Sequence, residues 1–275
     1  MQSSRLNPAR VPPLMGYEIC ALTDQGLVRQ NNEDAVAFDR QTGLCLLADG
    51  MGGYKAGEVA SAMAITLLMQ ELNSWLLRSA PQAPVKELRG MMKTCVQSAN
   101  QAIAQAAGSN PDHEGMGTTL VAGVFAGNQL VLGHVGDSRC YRLRGEALLQ
   151  LTKDHSMLQE QVDAGLMTSE QAMLSPHQNL ITRALGVEKS VQVDISEYRV
   201  EPGDVYLMCS DGLSDMLKKI AITDILNTPG TLDIKAQALV QAANDSGGRD
   251  NISVLLVQAG ACDSRRGLLS SMLGK

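Results

Sequence analysis

Two pairs of apolar segments in the middle of the chain are each separated by a short glycine-containing turn. The segments TTLVAGVFA and QLVLGHVG flank Gly127-Asn128, and CYRLR and ALLQLT flank Gly145-Glu146. Because glycine adopts the left-handed backbone conformations that tight turns need, each pair predicts a β-hairpin. Hairpins build antiparallel sheets, so the pattern disfavours the parallel sheet of a doubly wound fold.

Helical patterns lie before and after these hairpins. Apolar residues recur at helical spacing from Ala60 to Leu76 and from Leu88 to Ala106, and a third helix is predicted near residues 232–246. Further strands are predicted at YEICALTD, GLCLLA, VYLMCS and ISVLLVQ, and where apolar and polar residues alternate from 191 to 196. This order favours an α+β fold, a layered sandwich in which helices pack outside antiparallel sheets.

The composition is that of a soluble globular protein, and it disfavours two kinds of partner. The 275 residues are 44% hydrophobic and 19% charged, with a net charge of -6, and the aromatic residues are one Trp, five Tyr and two Phe. Such a chain lacks the basic surface and the stacking platforms of nucleic-acid-binding proteins. No apolar stretch approaches the ~20 residues of a membrane span, and the first residues lack the apolar core of a secretory signal.

The six cysteines are spread widely and form no C-x-x-C pair. Most lie in apolar, strand-like segments, which predicts buried free thiols rather than disulfides or a zinc site. Free thiols are typical of a reducing compartment, so we expect a cytoplasmic protein.

A segment of different character separates two groups of strands. Ser156-x-x-Gln159 and Thr168-x-x-Gln171 match the capping box, in which a hydroxyl and an amide satisfy each other's backbone groups. They predict short helices inserted at about residues 154–186. We therefore expect a flexible N-terminal arm at 1–16, a single domain at 17–259 that contains this insertion, and a short C-terminal tail at 260–275.

Acidic residues recur at the ends of the predicted strands. Taken singly, such an aspartate is typical of a turn or a cap. Together they predict one shared site, because converging buried carboxylates repel one another unless cations neutralise them. These residues are Asp49, Asp137 and Asp211, which follow apolar runs, Asp250 before the final predicted strand, and Glu33-Asp34 after Arg29.

The donor types indicate which metal would bind. Carboxylates and backbone carbonyls suit Mg²⁺ or Mn²⁺, and the four histidines are too far apart in sequence to form the usual zinc-ligand pairs. The glycines of Asp49-Gly50-Met51-Gly52-Gly53 let the backbone approach an ion or a phosphate closely. Arg29 offers the forked guanidinium that grips phosphate oxygens.

Six short motifs follow one another along the chain: Arg29-x-x-Asn32-Glu33-Asp34, Asp49-Gly50-Met51-Gly52-Gly53, Gly117-Thr118-Thr119, Val135-Gly136-Asp137-Ser138-Arg139, Cys209-Ser210-Asp211-Gly212 and Arg249-Asp250-Asn251. Their order resembles that of the PPM family, the metal-dependent type-2C Ser/Thr protein phosphatases, and especially of its compact bacterial members. The resemblance covers about residues 17–258, and six ordered motifs are far more specific than any one alone.

The resemblance implies two antiparallel β-sheets packed as a central sandwich and flanked by helices, in α-β-β-α layers. It also implies a centre of two Mn²⁺ or Mg²⁺ ions at one end of the sandwich. Asp49 would bridge the two ions. Glu33 and the Gly50 carbonyl would attend one ion, and Asp211 and Asp250 would attend the other.

Further roles follow from the same resemblance. Asp34 would hold metal-bound water, Asp137 with Asp211 would form a third, weaker metal site, and Arg29 would orient the substrate phosphate. A water bridging the two ions would attack phosphorus directly, without a covalent phosphoenzyme. The insertion at residues 154–186 would be a small flap that borders the active site.

One position departs from the eukaryotic relatives, which often carry a histidine, the proposed general acid, where this chain has Met51. A thioether has no proton to donate. Two alternatives remain for protonating the leaving group: a metal-bound water, which we favour because bacterial members commonly share this methionine, or a flap residue such as His155.

By this resemblance we expect a monomeric phosphatase that removes phosphate from phosphoserine and phosphothreonine in proteins and opposes a Ser/Thr kinase. Two alternatives stay open: a pseudophosphatase that binds phosphoproteins as a scaffold, and a hydrolase of small phosphate esters. A pseudoenzyme is expected to have lost metal ligands, and none is missing from the six motifs.

Overall fold

The computed structural model describes residues 16–52, 56–79, 84–168, 171 and 180–260. Apart from Gly16 and Gly260, the predicted arm and tail lie outside the described residues. Part of the predicted flap, residues 169–170 and 172–179, lies outside them as well.

Within these ranges, eleven strands form two antiparallel sheets. The first sheet has the order β1-β11-β10-β7-β8, and the second has the order β2-β3-β5-β6-β9, with β4 paired to β3. The strands are β1 (Tyr17–Asp24), β2 (Asp34–Asp39), β3 (Leu44–Met51), β4 (Gly117–Thr118), β5 (Leu120–Ala126), β6 (Gln129–Val135), β7 (Arg139–Arg144), β8 (Ala147–Gln150), β9 (Asp194–Arg199), β10 (Val205–Cys209) and β11 (Ile252–Ala259). Both predicted hairpins, β5–β6 and β7–β8, are confirmed.

Helices cover the outer face of each sheet. The helices are α1 (Ala56–Leu68), α2 (Ser74–Ser79), α3 (Val85–Ser109), α4 (Met157–Asp163), α5 (Asp211–Ser214), α6 (Lys219–Asn227) and α7 (Leu232–Asp245). A π-helical turn, Met69–Asn73, joins α1 to α2, and a 3₁₀ turn, Pro111–His113, follows α3. Helices α1 and α3 pack on the second sheet, and α7 packs on the first.

Strand β3 shows why its sequence is continuously apolar rather than alternating. Leu46 faces the helices α1 and α3, whereas its neighbour Leu47 faces the other sheet. Between the sheets, the Phe125 ring meets Tyr206 edge-on, with ring centroids 5.1 Å apart. A strand covered on both faces buries every side chain, so the predicted α-β-β-α sandwich is confirmed.

In the described part of the chain, every helix is too short or too polar to cross a membrane.

Several elements differ from the sequence prediction. The first long helix is interrupted by the π-helical turn, which contains the buried Asn73. The side-chain carbonyl of Asn73 accepts from the Thr42 hydroxyl at 2.6 Å, and its side-chain amide donates to Asp39 at 3.2 Å. Strand β2 was not predicted, because acids stand at both of its ends and none of its side chains is fully buried. Helix α6 was not predicted because it buries only Ile222 and Leu226, too few for a clear period.

The strand predicted from the alternation at residues 191–196 begins later than expected, at Asp194. The Val191 N–H donates to the Gln97 side chain at 3.3 Å, so helix α3 holds this segment before it joins the sheet. The reciprocal bonds of the second capping box are confirmed: Thr168 N–H donates to Gln171 Oε1 at 2.8 Å, and Gln171 N–H donates to Thr168 Oγ1 at 3.2 Å.

Candidate metal centre

Asp34 and Asp49 lie opposite each other on the adjacent antiparallel strands β2 and β3. The Ser210 hydroxyl, which follows β10 in the other sheet, donates to Asp34 Oδ2 at 2.8 Å. The backbone of Asp49 is also fixed, since its N–H donates to Thr119 Oγ1 at 3.0 Å and its carbonyl accepts from the Thr118 hydroxyl at 2.9 Å. The two sheets therefore meet around this pair of carboxylates.

Two more aspartates come from the first sheet. Asp211 begins α5 directly after β10, and Asp250 lies just before β11, the strand that pairs with β10. Gly212 packs so closely on Asn251 that a Cβ at this position would overlap the Asn251 carbonyl oxygen. Glycine is needed there, because this contact holds the turn of Asp211 against the turn of Asp250.

Glu33 and Gly50 meet at the N-terminus of α1. The Gly50 N–H donates to the Glu33 carbonyl at 3.1 Å. Gly57, in the first turn of α1, packs against both residues: a Cβ there would lie 2.7 Å from Glu33 Oε2 and 2.8 Å from the Gly50 carbonyl carbon. The absence of a side chain at Gly57 therefore allows the helix to start directly beside the Glu33 carboxylate.

Asp137 lies in the turn between β6 and β7 and is 8% exposed. On one side of it, the Gly136 N–H donates to His155 Nδ1 at 3.0 Å. On the other side, Arg139 forms a forked ion pair with Asp154, with Nη2 and Nε at 2.6 and 2.9 Å from Oδ2. The residues at the base of the predicted flap thus contact both flanks of Asp137.

Arg29 lies at the solvent edge of the acid cluster. Its Nη2 donates to Asp250 Oδ2 at 2.6 Å, and its side chain is 53% exposed. This hydrogen bond raises the pKa of Arg29. The predicted phosphate-binding group and a predicted metal ligand are therefore neighbours, and in this conformation they bind each other.

Burial and mutual repulsion raise the pKa of the central aspartates. Burial raises the pKa of Asp34 to about 7 and that of Asp137 to about 6. The pKa values of Asp49 and Asp211 lie well above the usual range, first because both side chains are buried and then because neighbouring carboxylates repel their charge. For all four side chains to ionise together near neutral pH, positive charge must lie among them.

Two buried oxygens of this cluster, Asp34 Oδ1 and Asp137 Oδ1, have no hydrogen-bond partner among the described residues. A bound cation would satisfy such oxygens, and oxygen donors suit Mg²⁺ or Mn²⁺. In this conformation, no three His, Cys, Asp or Glu side chains of the described ranges converge closely enough to ligate one ion. The donor chemistry therefore fits these ions, and ligation requires the carboxylates to move closer together.

His155 does not have the environment of the general acid that the sequence left open. Its Nδ1 accepts from Gly136, and its Nε2 lies 3.2 Å from Asp194 Oδ2. Burial lowers the pKa of His155 although the bond to Asp194 acts in the opposite direction. A neutral imidazole with both nitrogens engaged is poorly suited to protonating a leaving group.

The structure brings all the predicted site residues to one end of the sandwich: Arg29, Glu33, Asp34, Asp49, Gly50, Asp137, Asp211 and Asp250. It adds supporting residues to which the sequence analysis gave no role. Thr118, Thr119 and Asn251 were quoted only as members of motifs. The available signal was their membership of the ordered motifs, in which Asn251 directly follows Asp250.

Asn251, 4% exposed, fastens the loop that carries Arg29. Its side-chain amide donates to the carbonyls of Gln25 and Asn31 at 2.9 and 2.8 Å. Its side-chain carbonyl accepts from the Glu33 N–H at 2.8 Å. One buried side chain thus holds the loop on both sides of Arg29.

Comparison with known proteins gives concordant results. A family model described as Protein phosphatase 2C matches residues 26–243. The serine/threonine phosphatase stp of Listeria monocytogenes is 41% identical over 239 residues, which is 86% of this chain and 93% of that relative. The crystal structure of the Mycobacterium tuberculosis serine/threonine phosphatase PstP/Ppp has a TM-score of 0.81 at 40% identity and covers 90% of this chain and 100% of its own. A structure of the PstP catalytic domain in complex with two manganese ions has a TM-score of 0.79 at 40% identity, with the same coverage.

Proposed function

The chain belongs to the protein phosphatase 2C family, and we propose that it hydrolyses phosphoserine and phosphothreonine in proteins at the acid cluster, with Mn²⁺ or Mg²⁺ as cofactors. One observation carries the proposal. Carboxylates from both sheets, Asp34 and Asp49 from one and Asp211 from the other, are buried together with raised pKa values. Such a cluster needs divalent cations to be ionised at neutral pH.

Each ion has a set of residues that would hold it. When bound, the ions supply a water of lowered pKa and offset the charge that develops on the phosphate during its transfer. The manganese ions in the PstP structure support a two-ion centre for a chain of this similarity. We assign Asp49 as the shared ligand, Glu33 and the Gly50 carbonyl to one ion, Asp211 and Asp250 to the other, and Asp137 with Asp211 to a third, weaker site.

Two side chains position the reacting groups. Arg29, released from Asp250, presents its guanidinium fork to two phosphate oxygens and holds the ester in line for attack. Asp34 Oδ1, which has no hydrogen-bond partner among the described residues, accepts a hydrogen bond from the attacking water. Ser210 keeps the other oxygen of Asp34 engaged at 2.8 Å, which fixes the orientation of the carboxylate.

The cysteines do not serve as nucleophiles in this proposal. The five that the structure describes, Cys20, Cys45, Cys95, Cys140 and Cys209, are free and buried. Burial raises the pKa of each thiol, so the thiolate needed for attack is scarce at neutral pH. Direct attack by water is the mechanism that agrees with this arrangement.

Hydrolysis of a phosphothreonine peptide and of p-nitrophenyl phosphate, each with Mn²⁺ or with EDTA, tests the proposal. We expect Mn²⁺-dependent release of phosphate with a strong preference for the peptide. Turnover of the small ester alone would indicate a general phosphate-ester hydrolase. Mn²⁺ binding without turnover of either substrate would indicate a phosphoprotein-binding scaffold. Full activity of Asp49→Asn or Asp211→Asn would refute the metal-centre mechanism.

The setting of the activity is also part of the proposal. A Ser/Thr kinase would supply the substrates, because the reaction consumes the product of such a kinase. The free, buried cysteines of the described chain support a cytoplasmic location, where thiols stay reduced. We propose a monomer with one catalytic domain at 17–259 and a flap at about 154–186, which sedimentation and limited proteolysis would test.

A further inference from the structure

Asp154 and His155 hold the turn that carries Asp137 from both sides. His155 makes two hydrogen bonds to one residue: its backbone N–H donates to the Gly136 carbonyl at 2.8 Å, and its ring Nδ1 accepts from the Gly136 N–H at 3.0 Å. Asp154 holds the far side through its forked ion pair with Arg139. The Asp137 side chain lies between these two attachments.

The hydrogen bonds define the tautomer of His155. Because Nδ1 accepts from a backbone N–H, the proton of the neutral ring is on Nε2, which donates to Asp194 Oδ2 at 3.2 Å. Arg183 Nη1 lies 3.2 Å from both His155 Nε2 and Asp194 Oδ1. Since Nε2 carries a proton, Arg183 donates to Asp194 and not to the ring. Asp194 and Arg183 thus orient the imidazole toward Gly136.

The Gly136 turn is tightly packed on its other face. Its backbone has a φ of 104°, and a Cβ there would lie 2.6 Å from Thr119 Cγ2. The Thr119 hydroxyl lies 2.7 Å from the Ser138 hydroxyl and also accepts from the Asp49 N–H. The position of the turn is therefore set between Thr119, which contacts Asp49, and His155.

His155 also connects this turn to the predicted flap. The Thr182 N–H donates to the His155 carbonyl at 2.8 Å, and Ser156 pairs with Ile181 in an isolated antiparallel bridge. The two ends of the flap are thereby joined at the residue that contacts Gly136. His155 is 6% exposed, so solvent cannot replace these contacts without local unfolding.

We propose that His155 is a positioning residue: its Nδ1 holds the Gly136 N–H, and through the Gly136 turn the Asp137 carboxylate, in the orientation that the third metal site requires. The inference rests on the proposed function for the role of Asp137. The hold on Gly136 itself is independent of any ion.

Three variants separate positioning from general structural damage. His155→Asn places an amide oxygen close to the position of Nδ1 and keeps an acceptor for the Gly136 N–H. His155→Gln places its oxygen farther out, nearer to the position of Nε2. His155→Ala leaves no acceptor at either position. Glu197→Gln is the matched control. Glu197 lies on β9, the strand that also carries Asp194, and the substitution breaks its ion pair with Arg89.

Hydrogen exchange of the Gly136 amide, measured by NMR in the metal-free protein, tests the hold on the turn. We expect protection in wild type, His155→Asn and Glu197→Gln, and at least tenfold faster exchange in His155→Ala and His155→Gln. Equal exchange in the Asn and Gln variants would overturn the assignment of Nδ1. This measurement does not depend on the proposed metal chemistry.

Calorimetric titration with Mn²⁺ tests the consequence. Asp137→Asn identifies the binding event that depends on Asp137. We expect His155→Ala and His155→Gln to weaken that event about 10- to 100-fold while the tighter events and the His155→Asn titration stay near wild type. Uniform weakening of all events, or no change in any, would overturn the positioning role. Absence of Mn²⁺ binding by wild type would instead refute the proposed function.

Discussion

Arg29 and Asp250 bind each other across 221 positions of sequence, with Nη2 2.6 Å from Oδ2. The same two groups have competing partners in the proposed reaction, phosphate for Arg29 and a metal ion for Asp250. We expect the contact to open when these partners bind. Substrate and ion should therefore assist each other, since each releases the group that the other needs.

Arg29→Ala should separate the role of Arg29 in binding phosphate from its competition with the metal ion for Asp250. Loss of the guanidinium should lower kcat/KM on a phosphothreonine peptide by about 10²–10³-fold, because the fork no longer orients the phosphate. Mn²⁺ binding should stay the same or tighten, because Asp250 has lost its competing partner. Steady-state kinetics and calorimetry check the two outcomes. Arg89→Ala, which breaks an exposed ion pair elsewhere, is the control; weaker Mn²⁺ binding in Arg29→Ala alone would contradict the competition.

Asp49→Asn should abolish activity and yet stabilise the metal-free protein. The amide keeps the shape of the side chain but removes a buried charge that its neighbours repel. In thermal unfolding we expect a higher Tm than wild type in EDTA and little further increase with Mn²⁺. Asp224→Asn, on the exposed face of α6, should match wild type under both conditions. A lower Tm in EDTA would show that Asp49 is not under electrostatic stress.

The stability of the metal-free protein should depend on pH through Asp34. Its pKa is raised to about 7 in the folded state, so the folded protein binds more protons than the unfolded chain above the ordinary aspartate pKa. Stability is then lost as pH rises from about 4 to about 7. The buried histidines, with lowered pKa, act in the opposite direction below their ordinary value.

The effect of Asp34 is therefore measured by comparing the pH dependence of stability in wild type and in Asp34→Asn. Urea unfolding in EDTA should show that stability falls less steeply with pH in Asp34→Asn than in wild type over this window. Excess Mn²⁺ should remove the contrast, because the ions favour the ionised carboxylates. Parallel pH profiles for the two proteins in EDTA would be inconsistent with the raised pKa.

Asn251→Ala should destabilise the fold and loosen the loop of Arg29. It removes three partly buried hydrogen bonds and leaves their backbone partners without the amide, which should cost about 2–4 kcal/mol of unfolding free energy. Denaturant unfolding gives the magnitude. Asn227→Ala, at the exposed end of α6, should change stability by less than about 0.5 kcal/mol. Equal effects of the two substitutions would contradict the role of Asn251.

Gly57→Ala should impair the site although alanine favours helices. The new Cβ would lie 2.7 Å from Glu33 Oε2, so the carboxylate must move, and we expect Mn²⁺ affinity to fall about tenfold. Gly90→Ala is a matched control on α3, where a Cβ meets open space. That variant should gain about 0.5–1 kcal/mol of stability and keep wild-type affinity. Calorimetry with Mn²⁺ distinguishes the two, and unchanged affinity in Gly57→Ala would refute the contact.

The hairpins and long helices were predictable because each carries its own signal. Gly127 and Gly145 adopt positive φ in the turns, and α3 repeats its apolar stripe over many turns. Strand β2 carries no such signal, since it begins and ends in aspartates, and the Ser210 and Asn73 side chains that bind Asp34 and Asp39 lie 176 and 34 positions away. Elements stabilised by distant partners are invisible to local periodicity.

The acids of the site were predictable as a group because several strands end in aspartate. Their supports were not, because Asn251 and His155 act through backbone groups whose chemistry is the same at every residue. The ion pair of Arg29 with Asp250 was also not predicted. Two residues that far apart are brought together only when β1 pairs with β11.

The pairing of β1 with β11 sets the order in which a ribosome-bound chain can become active. The first strand emerges early in synthesis, but its partner, and Asp250 beside it, emerge only after more than two hundred further residues. Until then Asp250 cannot join Arg29, Asp34 and Asp49, and the proposed site stays incomplete. A nascent chain therefore cannot remove phosphate from its neighbours before its sandwich has closed.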